Sequence, residues 1–177
     1  MKQQKALFLD RDGIINIDHG YVSKRENFEF TESIFELLHL FIKKNYLLFI
    51  ITNQSGIGRG YYTLSDFDAV TKWMLNIFKE KDITIQKVTY CPHAPEDNCH
   101  CRKPEIGMIE DILKQYPIDL SHSWLIGDKQ SDIDLSHNAK IQHSIAIGSR
   151  KISTVSYQFN TISDCYTFLE KNQDELL

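Results

Sequence analysis

The stretch Lys5-Ala6-Leu7-Phe8-Leu9-Asp10-Arg11-Asp12-Gly13 decides the fold. Residues 5–9 form an apolar run that reads as a short buried strand, the kind found inside parallel sheets. Two carboxylates and a glycine follow at once. Ligands bind just beyond the carboxyl ends of such strands. Two carboxylates one residue apart cannot both enter a core without a large desolvation cost, and glycine lets the backbone turn tightly toward a ligand. Asp10 and Asp12 therefore read as a metal-assisted nucleophile and its acid/base partner. The plainer alternative is an Asp-Gly turn, so the assignment needs support from the rest of the chain.

Outward from this stretch, helical and strand patterns alternate. Residues 31–44 carry Ile34, Phe35, Leu37, Leu38, Phe41 and Ile42 at helical spacing, with Thr31 or Ser33 as cap. Residues 46–51 are apolar on both faces, as a central parallel strand should be. A second helix runs from Ser65 to about Lys81, with Phe67, Val70, Trp73, Met74, Ile77 and Phe78 inward. Thr63-x-x-Asp66 and Ser65-x-x-Asp68 both offer capping patterns there. Val88 to Tyr90 is a brief strand, and a helix from Ile106 is stopped by Pro117. Ser123 to Ile126 is a strand ending at Gly127-Asp128, and a helix from Ser131 and a strand at 144–147 follow. A last helix spans Ser163 to Lys171. The pattern predicts one α/β domain over residues 1–177 built on a parallel sheet. Only single helices separate the motif-bearing strand ends, so no cap domain is expected.

Composition narrows the function. With 177 residues, 42% hydrophobic content and a net charge of -4, the chain suits one cored, globular domain. The acidic balance argues against nucleic acid or an anionic membrane surface as partner. Lys2 and Lys5 precede only a four-residue apolar stretch, too short for a signal-peptide core, and no apolar run could span a bilayer. A cytoplasmic protein is expected.

Three further segments turn the aspartate pair into a pattern. Thr52-Asn53-Gln54-Ser55-Gly56 follows the second strand, where a hydroxyl can meet phosphate oxygens. Arg102-Lys103 places two cations before Pro104. Asp128 and Asp132, with Lys129 between them, repeat the theme of acid after strand. Each has a bland reading as a capped turn or a solvated surface pair. Their order supplies a nucleophile, an oxyanion contact, a charge neutraliser and a magnesium anchor, which are the parts of phosphoryl transfer. Separately, Cys91, His93, Cys99 and Cys101 offer three thiolates and an imidazole within eleven residues, which suits a closed structural zinc site. His100 is an alternative imidazole, although its place between two ligands would strain the chelate. Cys165 stands apart and reads as a small buried residue.

From Leu7 to about Asp134 these motifs resemble the haloacid dehalogenase-like phosphohydrolases, at Asp10 and Asp12, Thr52, Lys103, and Asp128 with Asp132. Ile14 departs from the threonine that members often carry after Asp-Gly. The resemblance implies a three-layer α/β/α Rossmann-like sandwich. It implies an aspartyl-phosphate on Asp10, proton transfer by Asp12, phosphoryl contacts from Thr52 and Lys103, and Mg²⁺ held by Asp10, the Asp12 carbonyl and Asp128. The zinc loop, Asp18-His19-Gly20-Tyr21 and the segment from Ser55 to Tyr61 are similar to those of the branch acting on a seven-carbon sugar bisphosphate. That likeness implies a small phosphorylated sugar substrate touched by Asp18, His19, Gly20, Tyr21, Thr52, Asn53, Gln54, Ser55, Arg102, Lys103 and Lys129. It also implies a role in making activated heptose for lipopolysaccharide core or another surface glycan. The short loop between His93 and Cys99 instead resembles the histidinol-phosphate branch, and it weighs less than the two contact segments because loop length varies easily. A sugar-binding protein without catalysis is a third, weaker reading, since every expected catalytic side chain is present. A polynucleotide phosphatase on the same core is a fourth, disfavoured by the acidic balance. A monomer is expected.

Overall fold

In the computed structural model, which describes residues 3–177, six parallel strands form one sheet in the order β3-β2-β1-β4-β5-β6. Lys2 lies outside the described residues. The strands are β1 (Ala6–Leu9), β2 (Leu47–Asn53), β3 (Ile85–Cys91), β4 (Trp124–Gly127), β5 (His143–Ile147) and β6 (Tyr157–Phe159). The chain winds outward from β1 through β2 to β3, then returns to the other side of β1 with β4. The order therefore reverses beside β1, and a crevice opens there at the carboxyl ends, where ligands bind in such sheets.

Alternate side chains of the central strands feed two cores. Leu7, Leu9, Leu48, Ile50, Trp124 and Ile126 join one, packed with α1 (Ile34–Lys43), α3 (Leu64–Glu80) and α6 (Ile162–Lys171). Ala6, Phe8, Phe49, Ile51 and Leu125 join the other, packed with α4 (Gly107–Leu113) and α5 (Gln130–Asn138). This is the expected three-layer arrangement. Full burial on both faces explains why β1, β2 and β4 read as unbroken apolar runs.

Local differences have physical reasons. The strand expected at 46–51 extends through Thr52 and Asn53, because both pair with β3 despite being polar. A one-turn helix α2 (Ser55–Gly58) follows and was not expected, nor was β6, whose three residues alternate between half-buried and exposed. Thr31 does not cap α1: its hydroxyl donates to the Ile14 carbonyl. Ser33 occupies the cap position in a left-handed conformation, φ 63°, and its side chain makes no capping bond. At α3 the Thr63/Asp66 capping box forms as the sequence suggests, and the Ser65/Asp68 alternative lies inside the helix. Ile14 is fully buried, so its departure from the family pattern is a matter of packing. Among the described residues no helix is long and apolar enough to cross a membrane.

Candidate active site

The backbone N–H of Asp10 donates to the Ile126 carbonyl (3.0 Å), which fixes the first aspartate at the seam between β1 and β4. Its carboxylate, 4% exposed, accepts from the Arg11 N–H (2.8 Å) and pairs with Lys103 Nζ (2.9 Å) through Oδ1. Burial pushes the Asp10 carboxyl up to about 7, against the pull of Lys103 and with the help of Asp132, Asp12 and Asp128. Lys103 Nζ also lies 2.7 Å from Asp132 Oδ1 and donates to the Ile51 carbonyl (3.1 Å). Burial works to neutralise this lysine, but Asp10 and Asp132 outweigh it and hold the ammonium charged. Asn53 grips the backbone of the same residue: its Oδ1 accepts from the Lys103 N–H (3.0 Å), and its Nδ2 reaches the Lys103 carbonyl.

Asp132 does two things. Oδ1 meets Lys103, while Oδ2 accepts from the backbone N–H groups of Asp128 and Lys129 (3.1 Å each), closing the first turn of α5. Gly127 is required here, because a Cβ would lie 2.2 Å from the Asp132 Cβ. Asp128 is held differently. Arg150 Nη1 donates to its Oδ2 (2.7 Å) and to its carbonyl (3.2 Å). Oδ1 of Asp128 is buried and receives no hydrogen bond. Burial first, then Asp132, raise its pKa against Lys129 and Arg150. Ligand atoms of Asp10, Asp128 and Asp132 lie within 4.8 Å of one another. Asp132 Oδ1 is taken by the Lys103 ammonium at 2.7 Å, whereas Asp128 Oδ1, with the Lys129 ammonium 4.0 Å away, lies beside Asp10 and fits a hard cation that takes oxygen ligands.

The second aspartate sits in a cage of donors. Arg11, almost fully buried, donates through Nε and Nη2 to the two Asp12 oxygens (3.2 and 2.9 Å). Asn16 Nδ2 donates to Oδ1 and Gln54 Nε2 to Oδ2, both at 3.0 Å. Burial works to raise the Asp12 pKa, but the Arg11 guanidinium and these hydrogen bonds prevail and hold it below the usual carboxylate range. Arg11 Nη2 also donates to the Val22 carbonyl, tying the loop over residues 14–30 to the site.

A cavity of about 410 Å³ opens above these groups. It is lined by Asp10, Asp12, Asp18, Gly20, Tyr21, Asn53, Gln54, Ser55, Arg102, Lys103, Lys129 and Asp132, together with Tyr62 and Ser131. Thr52 lies beneath, fully buried, with its Oγ1 accepting from Gln54 Nε2 (2.7 Å). Of the sequence-predicted contacts, His19 as well as Thr52 falls outside the cavity lining: His19 faces a separate pocket and pairs with Glu29 (3.3 Å). Tyr61 and Tyr62 read in the sequence as pocket-lining or packing residues, with packing the default, and Tyr62 lines the cavity. Sequence reasoning missed the supporting roles of Arg11 and Arg150. The first stood in plain view beside Asp12, and for the second no local pattern signalled a role.

The cysteine loop closes as a cluster. Sγ of Cys99 lies 3.4 Å from that of Cys91 and 3.5 Å from that of Cys101, and His93 Nδ1 lies 3.6 and 3.2 Å from Cys91 and Cys101. A tetrahedral zinc with bonds of about 2.3 Å sets its sulfurs roughly 3.8 Å apart, so the donors are nearly in place. His100 turns away to Glu110 (2.7 Å), and the imidazole in the cluster is that of His93. The loop is pinned on both sides, by the Gly58 N–H on the Pro92 carbonyl and the Gly107 N–H on the His100 carbonyl. Cys165 is buried far from the cluster, and burial alone pushes its thiol up to about 12.

Comparison with known proteins follows this geometry. Residues 6–164 match the family described as polynucleotide kinase 3 phosphatase. A D-glycero-beta-D-manno-heptose-1,7-bisphosphate 7-phosphatase of Helicobacter pylori is 48% identical over 155 residues, covering 87% of this chain and 90% of its own. A D-glycero-alpha-D-manno-heptose-1,7-bisphosphate 7-phosphatase of Campylobacter jejuni is 45% identical over 168 residues, covering 94% and 96%. The chain belongs to the heptose-1,7-bisphosphate 7-phosphatase family of haloacid dehalogenase-like phosphatases. The D,D-heptose 1,7-bisphosphate phosphatase of B. bronchiseptica, solved with magnesium and phosphate, shares the fold with a TM-score of 0.82 at 22% identity, over 95% of this chain and 99% of its own. Membership in this family makes the protein a phosphatase, and a hydrolase of phosphate monoesters.

Proposed function

We propose that this protein removes the C7 phosphate of D-glycero-D-manno-heptose 1,7-bisphosphate in a magnesium-dependent, two-step hydrolysis. The observation that carries the reading is chain-long identity of 45–48% to relatives bearing that name, in a protein whose buried Asp10 is bracketed by Lys103 at the switch point of the sheet. An Asp10 oxygen attacks phosphorus as the bond to the sugar oxygen breaks, and Asp12 delivers a proton to the departing alkoxide. Asp12, now a base, takes a proton from the water that attacks the aspartyl-phosphate, freeing phosphate and restoring Asp10. The donor cage around Asp12 favours its ionised form and so suits the second step. The negative charge of the incoming bisphosphate acts in the opposite direction and favours proton uptake for the first. Lys103 and the Thr52 hydroxyl meet the phosphoryl oxygens.

Asp10, the Asp12 carbonyl and Asp128 Oδ1 would hold magnesium, which supplies the positive charge a phosphate dianion needs to enter this carboxylate cluster. Cys91, His93, Cys99 and Cys101 would hold a structural zinc that fixes the loop carrying Arg102 and Lys103. Asp18, Gly20, Tyr21, Ser55, Arg102 and Lys129 line the part of the cavity left for the sugar and its distal phosphate. Asn53 acts as a clamp on Lys103. The protein works as a cytoplasmic monomer supplying activated heptose for a surface glycan. Relatives named for the beta and the alpha anomer are about equally similar, so the test uses both. Purified protein with Mg²⁺ is expected to release one phosphate from each accepted anomer and leave the C1 phosphate in place. Turnover of histidinol phosphate in preference to either anomer, or release from C1, would overturn the reading.

A further inference from the structure

Gln54 is a primary amide with two different ends, and both ends are engaged. Its Nε2 donates to both Asp12 Oδ2 (3.0 Å) and Thr52 Oγ1 (2.7 Å), while its Oε1 accepts from the Tyr62 hydroxyl. Rotation of the amide by half a turn would set a carbonyl oxygen against the Asp12 carboxylate and remove both donations. The Asp12 carboxylate, an acceptor only, opposes that rotation, while the Tyr62 hydroxyl, donating to Oε1, anchors the far end of the amide and restrains where its NH₂ group sits. Burial pushes this phenol up to about 12, so it keeps its proton. The ring itself is held by the fold. A Cβ on Gly56 would lie 2.1 Å from the Tyr62 ring, so the ring rests directly on the backbone of α2, and Thr63 next to it begins the capped turn of α3.

We propose that Tyr62 is a positioning residue for proton transfer. Its hydroxyl anchors Gln54 through Oε1 and so holds the amide where its NH₂ group reaches Asp12, and this keeps the carboxylate that moves the proton in one orientation. The inference rests on the reading of Asp12 as the acid/base group.

The test compares two leaving groups using kcat/KM, which covers events up to departure of the alcohol. An alkyl phosphate such as the sugar bisphosphate needs a proton on its leaving oxygen. The nitrophenolate of p-nitrophenyl phosphate leaves without one. Tyr62→Phe keeps the ring and is expected to lower kcat/KM on the sugar roughly five- to tenfold, the size of one buried hydrogen bond, with less than about twofold change on the aryl ester. In a Gln54→Ala background the same substitution should have no further effect. Equal losses on both substrates, no loss on the sugar, or a full additional loss in the Gln54→Ala background would each overturn the proposal. Asp12→Asn measured on the same pair separates the two claims: if its loss is equal on both esters, the Asp12 reading itself fails.

Discussion

Replacing Lys103 by methionine removes the ammonium while keeping most of the stem, and leaves Asp10 and Asp132 facing one another in a dry site. Breaking a buried ion pair from one side costs about 3–5 kcal/mol. Part of that cost depends on pH, because Asp10 can take a proton. In the native protein its folded pKa, about 7, stands above the ordinary aspartate value of 3.8. An acid whose folded pKa is raised binds more protons folded than unfolded across this window, so its contribution to stability falls as pH rises toward and through 7. Between pH 6 and 8 that loss is about 1.4 kcal/mol. Without Lys103 the folded pKa rises further, and the loss over the same two pH units grows toward its one-proton ceiling of about 2.7 kcal/mol. Urea unfolding at pH 6, 7 and 8, in magnesium-free buffer without a chelator that would strip zinc, reads both numbers. The variant should be less stable at every pH and lose more stability than the native protein across the range, up to about twice as much. A variant with native pH dependence, or one as stable as the native protein at pH 8, would show that Lys103 does not neutralise Asp10.

Asp10→Asn should leave a folded protein whose phosphate release falls by more than about a thousandfold; substantial turnover would remove Asp10 as nucleophile. Cys101→Ser should empty the cysteine cluster of zinc by metal analysis and lower kcat at least about tenfold by loosening Lys103; a zinc-free protein with unchanged kinetics would detach the loop from catalysis. Gly56→Ala drives a methyl into the Tyr62 and Tyr21 rings and should destabilise by about 1–3 kcal/mol in thermal unfolding; a neutral effect would mean those rings are free to move.

The sheet was legible because its central strands are buried on both faces, leaving uninterrupted apolar runs such as Leu47 to Ile51. The site was legible where chemistry follows a strand end directly, at Asp10, Asp128 and the polar run from Thr52. β6 escaped notice because a three-residue edge strand has almost no period to detect. Thr31 looked like a helix cap because side-chain type says nothing about which backbone group it will meet, and it meets the Ile14 carbonyl instead. Roles carried through space were harder still. Asn53 looked like a ligand contact, yet its amide grips the Lys103 backbone from another strand, and Arg150 reaches Asp128 from beyond β5. His19 followed a motif and pairs with Glu29 outside the cavity. The short zinc loop pointed toward histidinol phosphate, while relatives 45–48% identical over most of the chain are heptose bisphosphatases, as expected if loop length drifts more freely than a packed site.

The strand order has a consequence for how the molecule comes into being. Asp10 belongs to the first strand made, but its neutralising lysine follows the third, and the acid that aligns this lysine follows the fourth. A growing chain therefore carries an unbalanced carboxylate at the end of β1 until residues beyond Asp132 have emerged and β4 has closed the open side of that strand. Contacts so distant along the chain form late, because their loop entropy must be overcome first. Ribosome-bound or truncated forms ending before β4 would hold the nucleophile without its charge balance, and phosphatase competence should appear abruptly with chain length.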